Sequence, residues 1–364
     1  MAARKSPPGR ERGRHASAKA AEGQDVPPGF VPLIDVSGDA VTCGRALGWA
    51  WLEALRLAAS AVPADARPWW RRRPFGKLVE RRAAYLPDLY RGMAEGAGLD
   101  ASQLVAQGIT PIDPPSAGCT AFAIQPAATA MSEPISGQTK DTGADRAFRY
   151  QVLRMRIDGG PSHLTLTYPG WVFGHGFVTS GCSILRNALY AGCGQGELTY
   201  SEWGLLALHC PTADEAVSLA LRHGVAGAGH CVAADEKGNV AGIEFGKGGV
   251  GVLKPRGGLY VHANRVMSGK RLGRHEVSGE PHRESSLHRQ ERLRGRLEAD
   301  RGRLTAQLAF MALADHDGHP NCICRHGPGD VTSAAVVVEP TRGLLHVCRG
   351  TPCRNWPRTY SLAQ

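Results

Sequence analysis

Four short blocks of this 364-residue chain carry side chains that could do chemistry. The first is Ala117-Gly118-Cys119-Thr120-Ala121-Phe122-Ala123-Ile124. Upstream, Pro111-Ile112-Asp113-Pro114-Pro115 forbids regular structure, because adjacent prolines remove backbone donors and restrict the residue before them. A turn therefore delivers Cys119 to the start of an alternating, strand-like run. A thiol there is either a small apolar filler or a nucleophile kept partly as thiolate. Gly118 opens a further route, since its unshielded carbonyl can be attacked by the Cys119 thiol. An N-to-S acyl shift and hydrolysis would leave Cys119 as a new N-terminus. Its α-amino group, with a reference pKa of roughly 7.7 to 8.0, could then take the thiol's proton.

The second block is Gly137-Gln138-Thr139-Lys140-Asp141-Thr142, one apparent hairpin beyond Cys119. Adjacent antiparallel strands would bring Asp141 back toward the cysteine, where a carboxylate can orient an amine or close an Asx turn. The third, Tyr260-Val261-His262-Ala263-Asn264-Arg265, ends a strand in polar groups; an amide held there can donate to an oxyanion or cap the strand. The fourth runs from Asp315 through His316, Asp317, His319, Cys322, Cys324 and Arg325 to His326. It is dense in metal-ligand types, but its spacing matches no common zinc signature and no second Cys or His pair answers it, so no metal is expected. Arg325 is the more useful residue, an always-charged fork suited to a carboxylate. A glycine-rich stretch, Gly174-His175-Gly176 to Gly181, leads into another strand rather than a helix, which argues for hairpin geometry over a phosphate loop.

Bulk properties narrow the setting. An apolar fraction of 42 % fits a globular protein with a large core. No run of about 18 apolar residues exists, so no membrane span is expected. The basic N-terminus lacks an apolar stretch of the secretory kind, and a cytoplasmic location with ten reduced cysteines follows as the expectation. The net charge of +10 sits largely in the N-terminal tail and in residues 270–303, with few aromatics to stack on bases. That reads as solvated surface rather than a nucleic-acid site.

The elements that must position the four blocks come in two styles. Residues 1–27 are a basic tail of disordered composition. Residues 28–118 form a mainly helical segment: a strand over Val31–Val36, a helix from Asp39 to Ala61 capped by Asp39, and a second over Leu78–Gln107 that Pro87 breaks or restarts. Residues 119–364 are strand-rich, with short β-branched or alternating runs at 120–125, 150–157, 162–168, 171–179, 230–234, 240–245, 250–254 and 258–262. One helix is expected from Thr212 to His223 and another over Ser285–Ala314, followed by strands at 333–339 and 344–349. Runs of strands and runs of helices indicate an α+β layered protein with mostly antiparallel sheets, residues 28–364 folding as one domain.

Taken together, Gly118-Cys119-Thr120, Gly137-Gln138-Thr139-Lys140-Asp141, His262-Ala263-Asn264 and Cys322-Ile323-Cys324-Arg325-His326, at these separations, resemble the isopenicillin N acyltransferase family of N-terminal nucleophile hydrolases. The likeness runs from about Val31 to the C-terminus. It implies a four-layer αββα sandwich made as a precursor that cleaves itself between Gly118 and Cys119, giving a heterodimer of its own two fragments. It further implies that Cys119 is nucleophile and, through its amine, base, that Asp141 orients the amine, that Asn264 holds the oxyanion, and that Arg325 supports the site. No cofactor is implied. Family members commonly have a tryptophan beside the aspartate and a Thr-Asn-His run at the asparagine; here Lys140 precedes Asp141, and Ala263 and Arg265 flank Asn264.

The expected activity is that of an amidohydrolase or acyltransferase acting on a small-molecule or short-peptide amide through a Cys119 thioester. Lys140 and Arg265 would make a cationic entrance suited to an acidic substrate, with His175 and His262 as further substrate contacts. The rival expectation is a non-catalytic basic binding protein on the same fold, left uncleaved.

Overall fold

The computed structural model describes residues 29–60, 62, 71, 74–104, 118–179, 181–327 and 329–363. The basic tail and the proline-rich turn before Cys119 lie outside the described residues. The helices are α1 (Ala40–Ala50), α2 (Leu52–Ala59), α3 (Phe75–Arg82), α4 (Leu86–Ala97), α5 (Tyr200–Ala207), α6 (Ala213–His223), α7 (Lys270–Gly273), α8 (Glu280–Ala299) and α9 (Ala306–Leu313). The first strands are β1 (Leu33–Gly38), β2 (Gly118–Ile124), β3 (Ile135–Thr142), β4 (Gln151–Ile157), β5 (Ser162–Thr167), β6 (Gly176–Thr179), β7 (Cys182–Asn187) and β8 (Leu198–Thr199). They are followed by β9 (Val225–Ala226), β10 (Gly229–Asp235), β11 (Val240–Gly246), β12 (Gly249–Leu253), β13 (Leu259–His262), β14 (Val331–Glu339), β15 (Leu344–Arg349) and β16 (Arg358–Ser361).

An eight-stranded sheet runs β1-β4-β5-β6-β7-β10-β11-β12, and a six-stranded sheet runs β13-β2-β3-β14-β15-β16. Pairing is antiparallel in both, apart from the parallel β1–β4 edge. Strand alternation then decides the layers. Ala121, Ala123, Val336 and Val338 face Val152, Leu164, Val178, Leu185 and Val232 in a core between the two sheets. Their neighbours Phe122, Ile124, Ala335 and Val337 turn the other way onto Leu293, Leu297, Phe310 and Leu313 of α8 and α9. The outer face of the larger sheet, through Leu153, Met155, Ile184, Ala233 and Ile243, packs on α1, α4, α5 and α6. The order is therefore helix, sheet, sheet, helix: the αββα sandwich.

The helical segment docks unusually closely. Gly44 and Gly48 of α1 meet Gly92 and Gly96 of α4, and a Cβ on Gly44 would lie 2.1 Å from the Leu89 carbonyl oxygen, one on Gly96 2.3 Å from that of Arg45. Those helices touch backbone to backbone, which small residues four apart permit. Asp39 caps α1 by accepting from the Thr42 N–H, and Pro87 falls in the first turn of α4, restarting the helix where a missing N–H costs nothing.

Several expectations are corrected. The helix expected over 285–314 is two, α8 and α9, because Thr305 caps a new start, its side chain accepting from the Leu308 N–H. The strand expected over 171–179 is the short β6, preceded by turns. Helix α5 and strand β16 have no counterpart in the sequence reading. Every residue of α5 is buried, Ser201 and Glu202 included, so it has no solvent-facing stripe to give it a helical period.

Candidate active site

Register brings the blocks together. In the β2–β3 pair Gly118 stands opposite Asp141 and Cys119 opposite Lys140. On the other flank of β2, His262 pairs with Ala121, so the chain leaving β13 carries Asn264 up to the cysteine. Beyond β3, Thr332 of β14 faces Asp141 and donates through Oγ1 to Asp141 Oδ1 at 2.9 Å. The Arg325 N–H donates to the same Thr332 oxygen at 2.8 Å, which fixes the loop so that the Arg325 guanidinium enters the site. There its Nη2 donates to Ser285 Oγ at 2.7 Å, and its Nε lies 3.6 Å from Asp141 Oδ2. Cys119, Asp141, Asn264 and Arg325 thus share one place, at the end of the smaller sheet.

The second carboxylate oxygen of Asp141 is distinctive. Asp141 is wholly buried, yet among the described residues nothing donates a hydrogen bond to Oδ2. That oxygen lies 3.0 Å from where a side chain on Gly118 would begin, which accounts for glycine at 118. A buried, unsatisfied carboxylate oxygen is costly, and this one lies against Gly118.

Asn264 is held from four sides. Its Oδ1 accepts from the Cys119 N–H at 3.0 Å and from Arg289 Nη2 at 2.9 Å; its Nδ2 donates to the Ala188 carbonyl at 3.0 Å, and its own N–H to Ser286 Oγ at 2.8 Å. A guanidinium can only donate, so Arg289 settles which end of the amide is oxygen. Toward the Cys119 N–H, then, Asn264 presents an acceptor, and one of the two N–H bonds of its amide goes to Ala188.

Arg289 is the residue that sequence reasoning missed. It is completely buried, and besides Asn264 its Nη1 donates to the Cys119 carbonyl at 2.8 Å and to Thr120 Oγ1 at 2.7 Å. Burial, helped by the neighbouring Arg325, pushes its guanidinium down to about 10 against the support of Asp141 and Cys119, so it stays charged at neutral pH. A signal existed: Arg289, Leu293 and Leu297 are spaced four apart on one face of α8, and that face is its buried one.

Comparison with known proteins adds the following. No protein-family model matches the sequence, and no curated protein does. Among solved structures, the chain is similar to a point mutant of conjugated bile acid hydrolase from Clostridium perfringens, at 11 % identity and TM-score 0.47 over 67 % of this chain and 96 % of that one. A second variant of the same enzyme gives 12 % and 0.45 over 67 % and 97 %. Penicillin V acylase from Agrobacterium tumefaciens gives 11 % and 0.31 over 67 % and 77 %.

Cys119 itself is 2 % exposed. Near it two phenols are pushed up, Tyr150 by burial and then by the neighbouring Tyr168, Tyr190 chiefly by burial. Lys140, beside Cys119 in register, is buried and donates to the Arg186 carbonyl at 3.2 Å. His175 is enclosed by the rings of Tyr150, Tyr168 and Trp171. Burial, with Lys140 and Arg186, holds its imidazole well below the usual range, so it is neutral.

Of the two residues expected to make a cationic entrance, Lys140 is engaged with Arg186, and Arg265 lines a surface hollow with Arg256, Lys270 and Arg274, its backbone N–H held, like that of Asn264, by Ser286 of α8. His262 is likewise engaged away from the cysteine, fully buried with Nε2 2.7 Å from Glu244 Oε1 and stacked on His230 at 3.6 Å. Burial works against charge on Glu244, but His262 and Ser268 outweigh it and hold its carboxyl below the usual range, and the Met267 and Ser268 N–H groups both donate to it. This network fastens the turn after β13, and with it Asn264. No described helix is long and apolar enough to cross a membrane.

Proposed function

We propose that this protein is a self-processing cysteine amidohydrolase or acyltransferase of the N-terminal nucleophile type. The observation that carries the reading is the pair of acceptors at the head of β2: Asp141 Oδ2, buried and unsatisfied against Gly118, and Asn264 Oδ1, already on the Cys119 nitrogen. An amide N–H uses one of them. An ammonium, with three N–H bonds, would use both, and its charge would offset the Asp141 carboxylate.

Processing begins with attack of Cys119 Sγ on the Gly118 carbonyl carbon. The acyl group passes from nitrogen to sulphur as a thioester, and the proton lost by the thiol goes to the departing Cys119 nitrogen. Water then cleaves the thioester, giving a Gly118 carboxylate and a free N-terminal Cys119. In the mature enzyme the α-amine takes the thiol proton as Sγ attacks a substrate amide. It returns that proton to the departing amine, leaving an acyl thioester that water or a second amine resolves. Asp141 and Asn264 orient the amine, Thr332 and Arg325 hold Asp141, and Arg289 sustains the acceptor of Asn264. Lys140 and His175 border the acyl side. An acidic acyl group would be met by Lys140, and the substrate class is a small-molecule or short-peptide amide.

The two pieces, 28–118 and 119–364, would remain together, since β1 pairs with β4 along its length and α1 and α4 belong to the same core as β4 and β6. Intact mass and a denaturing gel test the reading. The expected result is two fragments split at Gly118/Cys119 and a single inactive chain for Cys119→Ala. An uncleaved wild type whose function survives Cys119→Ala would establish the non-catalytic basic binding protein instead.

A further inference from the structure

The block from Asp315 to His326 gains a partner that its spacing did not reveal. His316 follows α9, Cys324 and His326 lie in the loop before β14, and Cys353 sits in the turn between β15 and β16. One ligand atom from each of the four lies within 4.8 Å of every other. His326 Nε2 is 3.0 Å from His316 Nε2, 3.2 Å from Cys353 Sγ and 3.6 Å from Cys324 Sγ.

Those three separations, all from His326, can be set against the edges of a zinc tetrahedron. Zinc bonds of about 2.0–2.1 Å to nitrogen and about 2.3 Å to sulphur, at tetrahedral angles, put nitrogen about 3.3 Å from nitrogen and about 3.6 Å from sulphur. The three measured edges fall within a few tenths of an ångström of these. The donor set is two imidazoles and two thiols. The neighbouring carboxylate, Asp315, is turned away and taken by Arg292 at 2.9 Å and Arg296 at 3.6 Å. Nitrogen with sulphur in tetrahedral array selects zinc over the oxygen-seeking calcium and magnesium.

We propose that His316, Cys324, His326 and Cys353 form a structural zinc site that clamps the loop before β14 to the β15–β16 turn. With four protein ligands the coordination sphere is closed, which suits a structural rather than a catalytic ion. Binding releases the two thiol protons as each sulphur becomes a thiolate ligand, and no electron is transferred. Arg325 lies between two of the ligands in sequence, so the ion would stiffen the segment that carries the guanidinium to Asp141 and Ser285. The site stands independently of the amidase reading.

The test uses the full chain purified under reducing conditions without chelator, with metal measured by inductively coupled plasma mass spectrometry. One zinc per chain is expected, and cobalt(II) in its place should give the intense visible bands of tetrahedral thiolate coordination. Cys353→Ser and His316→Ala, both at exposed ligands, should each weaken zinc binding at least tenfold, whereas Cys193→Ser, at the other exposed cysteine, should not. A chelator should lower the melting temperature of the wild type and leave that of Cys353→Ser unchanged. Reduced, folded wild type that takes up no zinc at micromolar concentration would overturn the proposal. So would a Cys324–Cys353 disulfide persisting under those conditions, or unchanged affinity in both ligand variants.

Discussion

Two cysteine-bearing clusters lie on either side of Arg325, and they are built on opposite principles. Around Cys119 the carboxylate, the amide and the Arg289 guanidinium are buried, with Arg325 at 15 % exposure beside them, and the groups compensate one another. Around Cys324 the ligands come from loops, and two of the four are exposed. The first is a network in which each member satisfies another and one oxygen is left over. The second is a set of thiols and imidazoles whose ligand atoms gather within 4.8 Å of one another, the composition of a metal site. Polar groups inside a core must be paired by the fold itself, whereas groups at its rim can wait for an ion.

That contrast can be broken at its strongest point first. Arg289→Met would leave the Cys119 carbonyl, Thr120 Oγ1 and Asn264 Oδ1 without their buried donor. A loss of about 3–5 kcal/mol of stability is expected, measured by chemical denaturation, with no processing. A loss below about 1 kcal/mol would mean that the network does not share its charges in the way its geometry implies.

Asp141→Asn removes the charge but keeps the shape, and an Asn can still accept from Thr332. Folding should survive, while processing and turnover fall by about 10²–10⁴-fold, read by intact mass over time and by amide hydrolysis. Unchanged rates would remove Asp141 from the chemistry and leave it a structural acid.

Asp330 sharpens the comparison through pH. Burial, helped by the neighbouring Asp141, raises its carboxyl to about 6 against the pull of Arg325 and Arg146. A raised folded-state pKa means that stability from this group is present at low pH and is lost as pH climbs from about 4 to about 6. Asp330→Asn should therefore raise the melting temperature at pH 7 and have no effect near pH 4. The smallest effect is expected at the rim: in metal-free protein, Cys353→Ala should change stability by less than about 0.5 kcal/mol, as exposed substitutions usually do. A larger loss without metal would show that the cluster is held by something other than the ion.

Much of this was readable along the chain, and what was not has definite causes. Turn-forming residues at Asp158-Gly159-Gly160 and Glu236-Lys237-Gly238-Asn239 separate β4 from β5 and β10 from β11, a local signal like the alternation of the strands themselves. The approach of Asp141 to Cys119 was legible for the same reason, since β2 and β3 are neighbours in sequence. Helix α5 escaped because no side of it meets water. Arg289 escaped because an arginine on a helix is ordinarily a solvent-facing residue, and its four-residue spacing with Leu293 and Leu297 was the one local sign that this stripe of α8 is buried.

By itself, then, the sequence determined most of the order of helices and strands, the small residue before Cys119, and the return of a carboxylate one hairpin later, all set by turn chemistry and side-chain alternation over a few residues. The tertiary structure alone decided that Asn264 offers the Cys119 N–H an acceptor, that Lys140 engages Arg186 while Arg265 lines a surface hollow, and that Cys353 joins His316, Cys324 and His326. Each of these depends on which strands lie side by side across a long stretch of chain, and that choice is made by the burial of whole sheets rather than by any neighbouring residue.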